Sequence, residues 1–132
     1  MEELDRAQID ELLRDEFVAR IGCHAEGELY VVPIIYAYDG AACYVASVEG
    51  RKTRMMRANP RVCLEVDHYD RGSWRSVIAY GRYEERRGPD AEAALDLLAA
   101  RFGRKREREA GPGTVCFRIV LDEVSGRAVD RS

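Results

Sequence analysis

Histidine is almost missing from this chain: 132 residues carry two, His24 and His68. Neither is spaced with a serine, aspartate or cysteine in a way that gives grounds for a nucleophilic catalytic set. His24 adjoins Cys23, but neighbours on a strand point to opposite faces, so the pair is a poor chelate and both histidines read as surface residues. The four cysteines, Cys23, Cys43, Cys63 and Cys116, keep no metal-ligand spacing, and each sits in a strand-like run. They read as buried free thiols, which excludes a zinc ribbon or a disulfide framework. No apolar run approaches the roughly 18 residues that a membrane span needs. The acidic start Met1-Glu2-Glu3-Leu4-Asp5 is no signal peptide, so a cytoplasmic protein is expected. A net charge of −3 lacks the positive excess of a nucleic-acid binder. The basic connector Arg101, Arg104, Lys105, Arg106 and Arg108 is interleaved with Glu107 and Glu109 and reads as a solvated helix end. Neither a Gly-x-Gly-x-x-Gly dinucleotide loop nor a Walker loop is present.

What the chain does have is alternation. Apolar residues at period two mark strands over 17–24, 29–38, 42–47, 61–68, 74–83 and 114–121. Phe17, Ala19, Ile21 and Cys23 share one face of the first, and the remainder from Asp122 reads as a tail. Helical spacing marks residues 3–16, a short segment ending at Asn59 before Pro60, and a helix starting at Gly88-Pro89 and stopping near Gly103. Ala91, Ala94, Leu95, Leu98 and Phe102 form one face of that last helix. Tight turns at Glu26-Gly27, Asp39-Gly40 and 69–72 join consecutive strands, so the sheet is mainly antiparallel. Six such strands in one domain over 1–132 predict a mainly β, six-stranded barrel flanked by helices. Pro33 lies within the most apolar strand, where it removes a ladder donor; a β-bulge is the simplest account. Gly81 predicts a bend or bulge of its own.

The segment from Ser47 to Pro60 organises the rest. A strand ending at Ser47 leads to Gly50, which permits a sharp turn, and a helix should begin at once with Arg51, Lys52 and Thr53. A helix start already carries partial positive charge and free N–H groups, so two cations there are unfavourable unless an anion docks. The residues alone leave two readings open: a phosphate site, or a solvated cationic turn.

The order of these parts resembles a known family. A Pro-containing apolar strand, an Asp-Gly hairpin, Tyr44-Val45-Ala46-Ser47, Gly50-Arg51-Lys52, Arg57-Ala58-Asn59-Pro60-Arg61-Val62 and then Trp74 to Arg82 follow one another. This resembles the FMN-binding split barrel of the pyridoxamine 5′-phosphate oxidase-like superfamily, nearest its Nim-type (nitroimidazole-resistance) branch, over residues 5–128. The resemblance implies a homodimer with FMN in clefts between subunits. It implies that Arg51 and Lys52 hold the FMN phosphate with Ser47 and the Gly50 turn, that Val32, Pro33, Ile34 and Ile35 lie along the isoalloxazine ring, and that Trp74, Arg75 and Ser76 reach FMN from the partner subunit. Pro33 would then leave backbone groups free beside a flavin edge. The expected function is an FMN-dependent oxidoreductase acting on a small-molecule redox substrate, with no residue named as catalytic. The alternatives are a flavin, haem or deazaflavin binder acting as carrier or sensor, and a dimeric interaction module. Two departures limit the resemblance. The 44–47 strand lacks the histidine usual in Nim-type proteins, and Ser125-Gly126-Arg127 lacks the Arg-x-His of the true oxidases. Nitroimidazole reduction and vitamin B6 oxidation are therefore not carried over.

Overall fold

Alternating side chains need a sheet with one dry face, and the chain builds a single one. The computed structural model describes residues 1–106 and 110–131. In chain order the elements are β1 (Glu2–Glu3), α1 (Arg6–Asp15), β2 (Val18–Ala25), β3 (Glu28–Ile35), β4 (Ala37–Tyr38), β5 (Ala42–Val48), α2 (Arg51–Ala58), β6 (Arg61–Asp70), β7 (Ser73–Arg86), α3 (Pro89–Arg101) and β8 (Thr114–Val129). The sheet runs β3-β2-β6-β7-β8-β5-β4, with β1 paired to β8, and the paired strands are antiparallel. This is the expected mainly β split barrel, with three helices among the described residues.

Among the described residues there are eight strands rather than six. The predicted 29–38 strand breaks at Tyr36, whose buried hydroxyl donates to the Leu13 carbonyl at 2.7 Å. That bond ties the barrel to α1 and separates β3 from β4. The expected tail from Asp122 is instead the second half of β8, which pairs with β7 through Trp74↔Val129. The first helix is shorter than 3–16, because Glu2 and Glu3 pair with Ala128 and Arg127 and Asp5 then caps α1. Asp5 Oδ1 accepts the Gln8 N–H and Gln8 Oε1 accepts the Asp5 N–H, both at 2.9 Å. This reciprocal box closes the helix start.

The dry face gathers Ile9, Leu12 and Leu13 of α1 with Ala19, Ile21, Leu64, Val66, Val77, Phe117 and Ile119 of the strands. Phe17 does not join them. It stays 45% exposed, because β2 begins one residue later and its ring meets Phe102 edge-on at 5.7 Å. On α3 only Ala94 is fully buried; Leu95 and Leu98 are half-buried and Phe102 is exposed. The Gly81 expectation holds. The β7–β8 register shifts between Tyr80 and Gly81, and a Cβ at Gly81 would lie 2.3 Å from the Val120 carbonyl oxygen. Of the basic connector, Arg106 is paired with Glu92 and Asp96, while Glu107, Arg108 and Glu109 lie outside the described residues. No described helix is long and apolar enough to cross a membrane.

Candidate functional site

β5 delivers the chain to α2, and the junction concentrates positive charge. Lys52 Nζ donates to Ser47 Oγ at the end of β5. The Arg51 guanidinium lies 4.6 Å over the Tyr30 ring of β3 and 3.4 Å from Glu28 Oε2. Among the described residues no side chain caps α2, whose N-cap is Gly50. Its first-turn N–H groups therefore still need an acceptor. The chain bends at 49–50 where a sharp turn is expected, and Gly50 itself is extended there (φ −173°), a conformation open to other residues. A Cβ there would meet only the Val48 carbonyl oxygen, 3.9 Å away. Neither strain nor crowding within the chain explains the glycine. What it does is leave the helix start open to close approach.

Two carboxylates stand beside this cradle, and both are engaged. Glu28 holds Arg51, an exposed pair of the kind that contributes little by itself. Glu49 Oε1 accepts from Arg57 Nη1 at 2.5 Å, and Glu49 Oε2 accepts from Thr53 Oγ1 at 3.0 Å. Those two bonds hold the Glu49 carboxyl below its ordinary range, with Arg57 the larger influence. Thr53 is fully buried, and its hydroxyl also accepts the Gly50 N–H at 3.0 Å, fixing the junction. Burial pushes the Cys23 thiol up, against the opposing pull of Arg51 and Lys52.

Strand alternation divides the predicted ring-lining set. Ile34 is in the core and Val32 packs partly against it, whereas Pro33 and Ile35 point outward. A planar group on one side of β3 therefore meets the side chains of alternate members only, although all four backbones lie along the strand. Pro33 causes no bulge: the β2–β3 register is unbroken from Val18↔Ile35 to Ala25↔Glu28. It is tolerated because β3 is the edge of the sheet.

Outside β3 lies a groove of about 400 Å³ lined by Gly22, Leu29, Tyr30, Val31, Cys63 and Tyr80. Leu29 (78% exposed) and Val31 (67%) make it conspicuously apolar. Cys63 corrects the reading of four buried thiols. Val62 and Leu64 take the inward positions of β6, so Cys63 faces out, while Cys23, Cys43 and Cys116 are buried. Tyr30 links this groove to the cradle, since it carries Arg51.

Trp74, Arg75 and Ser76 are half-buried on β7 and line clefts to which Arg51 does not contribute. Trp74 and Ser76 line a cleft with Ile78, Tyr80 and Arg127. Arg75 lines another, with His68 and Asp130. His68 Nδ1 lies 3.3 Å from Glu16 Oε2, and His24 is exposed. Among the described residues no group of His, Cys, Asp and Glu is arranged to hold a metal ion. Sequence reasoning missed Glu28, Tyr30, Glu49 and Arg57. Only Glu49 carried a signal: an acid separated from two cations by the single residue Gly50.

The fold defines the class first, an antiparallel split barrel with a short helix leading out of β5. The chain belongs to the pyridoxamine 5′-phosphate oxidase family, whose model matches residues 5–128. A solved FAD-binding protein from Mesorhizobium loti is 34% identical, with 98% of each chain covered and a TM-score of 0.83. The fold recurs in a protein from Bacteroides thetaiotaomicron described as a candidate 5-nitroimidazole antibiotic resistance protein, 20% identical over 96% of this chain and 86% of that one, with a TM-score of 0.87. An uncharacterized protein of Rhizobium meliloti (strain 1021) is 39% identical over 69 residues, which is 52% of this chain and 46% of that protein. The chain thus matches about half the length of that relative.

Proposed function

We propose that this chain binds FMN, with Ser47, Gly50, Arg51 and Lys52 holding the phosphate, and serves as an oxidoreductase toward a small-molecule redox substrate. The observation that carries this reading is the α2 start, which is cationic, lacks a side-chain cap and is open at Gly50. Charge-assisted bonds from Arg51 and Lys52 suit a phosphate monoester. The flavin, when bound, supplies the hydride or two-electron chemistry. The chain's own residues bind and orient it. Arg51 is steered by Tyr30, Lys52 by Ser47, and β3 offers the backbone of Val32, Pro33, Ile34 and Ile35, with the outward side chains of Pro33 and Ile35.

Trp74, Arg75 and Ser76 are assigned to the cleft of a second copy, in a homodimer that covers the outward row Leu29, Val31, Ile35, Ile78 and Tyr80. A row of that size and character is what a stable contact would bury. The cytoplasm is the compartment this reading implies, consistent with four free cysteines.

The test is the visible spectrum of purified protein, followed by chromatography of the heat-released cofactor. Flavin bands with an FMN peak support the reading, and a colourless protein that takes up no FMN ends it. Steady-state NAD(P)H oxidation by loaded protein separates an enzyme from a carrier. A second reading, FAD in place of FMN, is favoured by the FAD-binding Mesorhizobium loti relative, and the same chromatogram decides between them.

A further inference from the structure

An acid immediately before an anion cradle is a local contradiction. A carboxylate at the start of a helix seeks the same free N–H groups that a phosphate would use. Glu49 is in that position, yet both of its oxygens are occupied by donors from α2 itself, Arg57 at 2.5 Å and Thr53 at 3.0 Å. Arg57 is anchored in turn on β7. Its Nε donates to Glu85 Oε1 at 2.7 Å, and the Tyr83 hydroxyl donates to the same oxygen at 2.6 Å. Glu85 is largely covered, so the anchor is firm, and Arg57 spans two carboxylates from the last turn of the helix.

Resting on the flavin reading above, we propose that Arg57 is a positioning residue of the cradle: it holds Glu49 along the flank of α2 and keeps that carboxylate off the donors offered to the cofactor phosphate. Arg57 makes its contribution through Glu49, without contact with the ligand. Releasing Glu49 would let the chain cap its own helix and would add a negative charge beside Arg51 and Lys52.

The experiment measures FMN and riboflavin binding, by quenching of flavin fluorescence, for wild type, Arg57→Gln, Glu49→Gln and the double variant. Riboflavin has no phosphate and serves as the internal control. Arg57→Gln is expected to weaken FMN roughly five-fold, the size of a unit-charge interaction across several ångströms of partly solvated surface. Riboflavin binding should not change, and the double variant should recover wild-type FMN affinity or better. Equal loss of both ligands in Arg57→Gln, or a double variant as weak as Arg57→Gln, overturns the proposal. If Arg57→Gln fails to fold, Glu49→Gln still decides: it must tighten FMN and leave riboflavin alone, and unchanged FMN affinity overturns the proposal. Wild-type protein that takes up neither ligand overturns the flavin reading and this inference with it.

Discussion

Two helix starts in this chain solve the same problem in opposite ways. At α1 the chain closes its own N-terminus, with Asp5 and Gln8 exchanging bonds of 2.9 Å. At α2 it places a glycine at the cap and cations in the first turn. The third start, α3, also has a glycine at its cap, Gly88, with no side-chain cap bond, but it opens with Pro89 and carries the acids Asp90 and Glu92 where α2 carries cations. Acids and caps are what an isolated helix wants. The exception at α2 gives up local stability at the place where β5 ends beside β3. A helix start that is both uncapped and cationic points to an anion from outside that finishes it.

The contrast breaks most severely if the cations go. Arg51→Ala with Lys52→Ala is expected to weaken FMN at least about a hundred-fold in a fluorescence titration, since charge-assisted bonds contribute about 1.5–3 kcal/mol each. Unchanged affinity would place the phosphate elsewhere. Gly50→Asp makes α2 resemble α1 by supplying an internal cap. Thermal melting should rise slightly, because replacing a glycine cap gains a few tenths of a kcal/mol. FMN binding should fall about ten-fold or more as the new carboxylate takes the phosphate's donors. A loss in both properties would mean that the glycine serves the fold instead. The converse change, Asp5→Ala, should cost about 1 kcal/mol of stability and leave flavin affinity alone. Its melting temperature should drop by roughly 3–6 °C.

The smallest effect is in pH. The Tyr38 hydroxyl bonds Asp10 Oδ1 at 2.7 Å, and that bond, with Arg6 nearby, holds the Asp10 carboxyl below its ordinary value. A depressed carboxylate stabilises the fold above the unfolded aspartate range, about 3.9, and the gain is lost as pH falls through the lower folded value. Melting temperature should therefore decline on acidification below about pH 4. Tyr38→Phe should flatten the part of that decline owed to Asp10. An unchanged slope would show that the bond carries no weight.

Much of this was legible in the sequence because its signals are local. Gly50-Arg51-Lys52 marked the cradle by charge alone, and Gly81 marked the bulge that its approach to Val120 demands. The second half of β8 was not legible. Asp122, Glu123, Ser125 and Arg127 have no apolar alternation, because their strand is held by Gly126, against which Leu4 and Ile9 of the N-terminal segment pack; a Cβ there would fall about 3 Å from both. Such a pairing spans the whole chain and leaves no mark on its own window. Cys63 was misplaced for a simpler reason. A small apolar residue between Val62 and Leu64 looks buried until alternation is applied strictly. Glu49 and Arg57 were invisible as a unit, because eight residues and a helix separate them and only folding brings their charges together.

The position of β8 also has a consequence in time. It is the last strand in chain order, yet it lies between β7 on one side and β5 on the other, and it takes β1 as well. During synthesis, the pairs β2–β3, β4–β5 and β6–β7 have local partners, but the other side of β5 waits for a neighbour not yet made. Closure over such sequence distance is slow and leaves strand edges bare meanwhile. On the ribosome, then, the cradle between β5 and α2 is assembled late, and any ligand it serves meets a chain whose translation has already passed Thr114.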